Sequence, residues 1–258
     1  MSETVQVSIE GHTAVVTMHN PPANTWILDS LTALTELVQK LNAKQDVYAM
    51  VITGQGDKFF SAGADLKLFA DSNKQVAADM SAAFGQAFET LSQFRGLSIA
   101  AINGYAMGGG LEVALACDLR IAERQAQMAL PEASVGLLPC AGGTQNLTWL
   151  VGEGWAKRMI LCGERVDAEQ ALQIGLIEAV AESGEALSVA RQWAQQAERQ
   201  SPTSLAACKR LIQTARKEPM FAGLAYERDE FVRLFESHDQ AEGVQAFLQK
   251  RKPNWTNS

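Results

Sequence analysis

Ala101-Ile102-Asn103-Gly104-Tyr105-Ala106-Met107-Gly108-Gly109-Gly110-Leu111-Glu112 is the stretch on which the reading of this chain turns. An apolar strand, Ser98–Ile102, runs into Asn103-Gly104. Three glycines follow, and a helix is expected from about Leu111 to Ala116. Glycines permit unusual φ angles and let another group approach the backbone closely. The first N–H groups of a helix have no internal acceptor and point at whatever lies beyond them. The spacing is not G-x-G-x-x-G, and no Gly-Lys-Ser/Thr follows, so neither a dinucleotide fingerprint nor a P-loop is indicated. Two readings stay open. One is a tight turn that packs helix on strand. The other is a site for a smaller developing negative charge, such as a carbonyl oxygen becoming an oxyanion.

Upstream, Val5, Val7 and Ile9 alternate with polar residues, Gly11-His12 interrupts, and Thr13–Met18 is rich in β-branched residues; this is a hairpin. Asn20-Pro21-Pro22-Ala23-Asn24 reads as a loop, because two prolines remove two N–H donors. Leu31, Leu34, Val38 and Leu41 recur at helical spacing, with Asp29 or Ser30 as the expected cap. Tyr48–Thr53 is a strand, and Met80–Phe94 is a helix. Strands alternating with helices make the class α/β. From Trp155 onward the chain reads mainly as helices, broken near Gly163, Gly175, Gly184 and Ser201-Pro202.

The chain has 258 residues, 47% of them hydrophobic and 20% charged, which is a globular balance and not that of a disordered chain. Its net charge, 22 Lys and Arg against 29 Asp and Glu, is −7, so nucleic acid is not an expected partner. Cys117, Cys140, Cys162 and Cys208 form no CxxC pair and have only three histidines to help them, so no metal site is expected. Unpaired cysteines and an N-terminus without a basic and then apolar signal suggest a cytoplasmic protein. The uncharged stretch Ala133–Gly152 contains Pro139, Gly142-Gly143, Gln145 and Asn146; it is expected to be buried or ligand-lining, not a membrane span.

A second small-residue loop, Phe60-Ser61-Ala62-Gly63-Ala64-Asp65-Leu66, offers further backbone donors or is an ordinary βα connection. Glu112 opens the helix after the glycines, and Glu132 follows Pro131 after the strand-like Gln127–Leu130. Each lies among apolar residues. Burial raises a carboxyl pKa and suits proton transfer, whereas a carboxylate at a helix start also has a purely structural use. Cys117 reads as packing. Cys140, beside Gly142-Gly143, is weighed as a nucleophile, but no histidine stands near it in sequence. No G-x-S-x-G elbow occurs.

These pieces, taken in order, resemble the enoyl-CoA hydratase/isomerase (crotonase) superfamily across nearly the whole chain. They are Phe60–Lys67, Ala101–Glu112, Cys117-Asp118, Pro131-Glu132, Gly136–Pro139 with Gly142–Gln145, Gly175–Ile177, and Glu242-Gly243 with Ala246-Phe247 before Lys250–Pro253. The resemblance implies a spiral of ββα turns over residues 1–195 and a helical C-terminal region over 196–258. That region would assemble a homotrimer or a homohexamer. It implies a coenzyme A thioester as substrate, with no separate cofactor, as in fatty-acid β-oxidation.

By position, the backbone N–H groups of Ala64 and Gly109 would form an oxyanion hole. Ala62 and Leu66 would meet the adenine and pantetheine parts of the coenzyme, and Phe231 and Lys250 would touch it from a neighbouring subunit. The resemblance makes Glu112 the residue that activates water and Glu132 the residue that transfers a proton at Cα, the hydratase pair. Double-bond isomerisation, thioester hydrolysis, or a non-catalytic acyl-CoA- or RNA-binding role are the alternatives. Two positions depart from the family pattern. Cys140 stands where a glycine is usual, and Asn146 where an arginine is commoner. Trp26 is expected to border the coenzyme or the acyl chain.

Overall fold

Each unit of the chain contributes two strands and a helix in the computed structural model, which describes residues 3–258. The first unit is β1 (Val5–Glu10), β2 (Thr13–Met18) and α1 (Leu28–Ala43). The second is β3 (Ala49–Gly54), β4 (Phe59–Ser61) and α2 (Lys74–Ser92). The third is β5 (Leu97–Ile102), β6 (Tyr105–Met107) and α3 (Gly109–Ala116), and the fourth is β7 (Leu119–Glu123), β8 (Gln127–Ala129) and α4 (Gly143–Leu161). From the second unit on, the first strand joins a six-stranded sheet, β1-β2-β3-β5-β7-β10, with β10 at Ala179–Ala181. The second strand joins a four-stranded sheet, β4-β6-β8-β9, with β9 at Val166–Asp167. This is the expected spiral.

Period-two alternation sorts the strand side chains. Met50, Ile52, Ala100 and Ile102 face the main core with Trp26, Leu31, Phe60, Phe88 and Leu111. Ala49, Val51, Ile99 and Ala101 face the other side, against α6 (Ala186–Ala197), which follows the short α5 (Ala168–Gln173). Ala186, Ala190 and Ala194 repeat every four residues, so α6 lies on the sheet through methyl groups. The C-terminal region is α7 (Pro202–Thr214), α8 (Met220–Arg233) and α9 (His238–Leu248). It exposes Met220, Phe221, Phe231, Val232, Phe235 and Phe247.

Several local expectations are corrected. α1 starts at Leu28, so neither Asp29 nor Ser30 is its cap; Ser30 Oγ instead takes the N–H of Ile27 at 2.9 Å. α2 starts at Lys74, capped by the Asn73 side chain, and not at Met80. Its first turns are mostly exposed and so carry no apolar period. The mainly helical last third also holds β9 (Val166–Asp167) and β10 (Ala179–Ala181), too short to show a period, which pair with β8 and β7. Of the uncharged stretch Ala133–Gly152, Ala133–Leu138 is exposed, whereas Pro139, Ala141, Gly143 and Leu147 are buried. No helix among the described residues is long and apolar enough to cross a membrane.

α3 and β4 touch at Gly110. A Cβ there would lie 2.0 Å from the Ser61 carbonyl oxygen and 2.7 Å from its carbon. Because backbone cannot rotate away as a side chain can, Gly110→Ala should lose about 3 kcal/mol or more of stability in denaturant titration. An unchanged midpoint would show that helix and strand are not in this contact.

Candidate active site

The loop after β4 is tied down by its own backbone. Ala62 N–H donates to Ala23 O at 2.9 Å, Gly63 N–H to Ser61 Oγ at 3.2 Å, and Asp65 N–H to Trp26 O at 3.1 Å. Trp26 N–H returns the bond to Gly63 O at 2.8 Å. The buried Asn24 side chain donates to Gln55 O and Phe59 O at 3.0 and 2.9 Å, and Ser61 Oγ donates to Asn24 O at 2.7 Å. The amide of Ala64, in the middle of this mesh, has no acceptor among the described residues.

Gly108 turns the chain from β6 into α3 at φ +55, a conformation that favours glycine, and its N–H donates to Ala129 O at 3.0 Å. Leu111 and Glu112 donate to Gly108 O. Gly109, the first residue of the helix, donates to nothing among the described residues. The two loops are in contact: a Cβ on Gly63 would lie 3.0 Å from Gly109 N and 2.7 Å from Met107 O. Phe84 of α2 backs Gly109, with ring carbon Cε1 2.9 Å from where a Cβ would be. Sequence reading missed Phe84, because its apolar spacing is equally that of a core residue.

The two glutamates approach the same ground differently. Glu112 is 2% exposed, and its Oε1 accepts the N–H groups of Ala141 at 2.8 Å and Gly143 at 2.9 Å. A Cβ on Gly143 would lie 2.8 Å from that oxygen, so the contact needs glycine. Burial pushes the Glu112 pKa up, and the two amides pull against that shift. Glu132 opens a 3₁₀ turn, Glu132–Val135, and both its oxygens are buried without a hydrogen-bond partner. Burial, with the nearby Glu112 charge adding to it, raises Glu132 to about 7. Its Oε1 lies 3.1 Å from where a Gly108 Cβ would stand, one residue before the free Gly109 amide.

Cys140 sits in the loop that supplies the Ala141 and Gly143 donors. Burial and then the charges of Glu112 and Glu132 raise its thiol to about 11. It is therefore a neutral thiol near pH 7, which counts against the nucleophile reading. Burial raises Cys117 to about 12, in keeping with packing.

The remaining expected site residues divide. Ala62 and Leu66 flank Ala64, Leu66 being exposed on the 3₁₀ turn Leu66–Phe69. Phe231, edge-on to Phe235, lies on α8, and Lys250 follows α9; no contact among the described residues joins them to the glutamates. The Trp26 expectation is corrected. Its ring is buried at 2% exposure against Phe88, and only its backbone serves the loop. Asn146 lies beside Gly142 and accepts from Arg216 at 3.4 Å, a loop contact. No group of three His, Cys, Asp or Glu among the described residues could hold a metal ion.

A family model described as enoyl-CoA hydratase/isomerase matches residues 8–258. Over 258 residues the chain is 40% identical to the 2,3-dehydroadipyl-CoA hydratase of Escherichia coli, covering 99% of both chains. It is 34% identical to a short-chain-enoyl-CoA hydratase of Clostridium acetobutylicum, covering 94% of each. The solved structure of Pseudomonas aeruginosa DspI superimposes with a TM-score of 0.96 at 62% identity, covering 98% of this chain and 97% of that one.

The raised Glu132 pKa has a consequence for stability. The stability tied to a protonated Glu132 is fully present below the ordinary carboxyl value of 4.5 and is lost as pH rises through about 7. Glu132→Gln should therefore unfold with the parent at pH 4 and be about 1–3 kcal/mol more stable at pH 8. Equal stabilities at pH 8 would mean that the carboxylate is solvated.

Proposed function

The chain belongs to the enoyl-CoA hydratase/isomerase family, and on that premise we propose that it adds water to a trans-2-enoyl-CoA to give the 3-hydroxyacyl-CoA. The carrying observation is the pair of unlike glutamates beside two loops with unbonded amides. In this reading the thioester oxygen accepts the N–H groups of Ala64 and Gly109. Conjugation makes Cβ electrophilic. Glu112, held by two amides, takes a proton from water as the oxygen bonds to Cβ. The π electrons move onto the thioester oxygen as an enolate, which the two donors stabilise; each such donor is typically worth about 2.7–4 kcal/mol in acyl-transfer enzymes.

Glu132, raised to about 7, then gives its proton to Cα. One glutamate gains a proton and the other loses one, so exchange with solvent resets the pair and no electrons leave the substrate. Their titrations should be coupled. The neutral Cys140 thiol borders this space and would shape which acyl groups and which water position it accepts.

We further propose that the chain works as a homotrimer or a dimer of trimers. The apolar side chains left on α8 and α9 support this, and Phe231 and Lys250 would reach the coenzyme held by a neighbour. Light scattering should return three or six chain masses; a single chain mass would end this assignment.

With crotonyl-CoA, the purified protein should remove the enone absorbance and yield 3-hydroxybutyryl-CoA. Glu112→Gln and Glu132→Gln should each lower kcat about 10²- to 10⁴-fold while still binding acyl-CoA. Free coenzyme A or a shifted double bond as product would favour thioester hydrolysis or isomerisation, and parental rates in both variants would remove the glutamates from the mechanism.

A further inference from the structure

α9 buries only Asp239 and Ala246, so apolar packing within the chain holds it weakly. What fastens it is the segment that follows. The chain reverses at Lys250, which takes φ +55, the left-handed conformation usually left to glycine at a helix end. Residues 251–258 then run back along the helix. The Arg251 guanidinium forks onto Glu242 at 2.6 and 2.8 Å, and Asn254 N–H donates to the same carboxylate at 2.7 Å. These bonds, Arg251 first, hold Glu242 down at about pKa 2. The Trp255 ring covers Gly243, 3.0 Å from where a Cβ would stand, and its Nε1 donates to Arg199 O at 3.1 Å.

The far end closes on Asp239, which is 1% exposed. Its Oδ1 accepts the N–H groups of Thr256 and Asn257 at 2.9 and 3.2 Å. Its Oδ2 accepts the hydroxyls of Ser201 and Thr203, at the start of α7, at 3.4 and 3.3 Å. Asn257 Nδ2 continues to Gln45 O at 2.6 Å, in the loop between α1 and β3. A glycine would make the turn at position 250 without strain. The chain instead places an exposed lysine there and pins both sides of the turn.

We propose that residues 251–258 are a clasp, built on the buried Asp239 carboxylate, that fixes Lys250 as a cation for the phosphates of the coenzyme. Asp239 is then a positioning residue for acyl-CoA binding. The inference rests on the reading of Lys250 as a coenzyme contact given above.

The test is calorimetric titration of the assembled full-length protein with coenzyme A and, separately, with pantetheine, which lacks the phosphates. Lys250→Gly should weaken coenzyme A binding about tenfold, the scale of one charge-assisted contact, without lowering the melting temperature. Asp239→Ala, and a chain ending at Pro253, should show the same loss for coenzyme A and none for pantetheine. Asp239→Asn, which keeps an oxygen for the tail amides and a donor for the two hydroxyls, should stay within about threefold of the parent. Adding Asp239→Ala to Lys250→Gly should cost nothing further.

If Asp239→Ala fails to fold, the shortened chain decides. A shortened chain with parental affinity for coenzyme A, or with equal losses for both ligands, would overturn the clasp as a positioning device. Parental coenzyme A binding by Lys250→Gly would instead remove Lys250 from the coenzyme site, and the inference with it.

Discussion

Two unbonded amides from separate loops can meet at one point only where the backbones that carry them approach closely. That constraint is met here at a few glycines. Gly63 lies against Gly109, Gly110 against Ser61, Gly108 against the Glu132 carboxyl, and Gly143 against the Glu112 carboxyl. Each contact leaves no room, or almost none, for a methyl group. Together they bring the loop after β4, the start of α3, the turn after β8 and the start of α4 to one place. The spiral makes this possible, because successive units set β4, β6 and β8 side by side in the smaller sheet. Their C-terminal ends then supply consecutive walls of the same site.

Within those walls, hydrogen-bond partners separate two chemically identical side chains. Glu112 is more deeply buried, yet it is met by two amides that favour its charged form. Glu132 has no partner, so desolvation acts on it with little opposition. Two carboxyl groups of one residue type are thus given different surroundings, chiefly by where the amide donors stand. Burial first, and then the two carboxylates that a thiolate would face, keep Cys140 protonated.

The C-terminal region is built on a different balance. The core sheet is held by apolar faces on both sides, whereas α9 is held largely by polar bonds from its own returning tail. Its apolar side chains, Val244, Phe247 and Leu248, remain outside. A surface of that kind suits contact with another protomer. The tail's bonds to Arg199 and Gln45 register it against the core of its own chain.

Local pattern alone determined much of this protein. The alternation at Val5–Ile9 and the apolar strands at Tyr48–Thr53 and Ser98–Ile102 set the α/β order, and the glycine run drew attention to Glu112; it was the ordered resemblance to a known family that pointed to Ala64 and Gly109 and paired Glu112 with Glu132. Strand and helix periods are properties of neighbouring residues, so they can be read in one dimension. Only the tertiary structure decided that Glu112 is held by amides 29 and 31 residues further along, that Glu132 is left without a partner, and that the Trp26 ring belongs to the core. It also decided that two- and three-residue strands complete the sheets and that the tail closes on Asp239. Those outcomes depend on which distant backbone arrives at a given atom, and no local spacing carries that information.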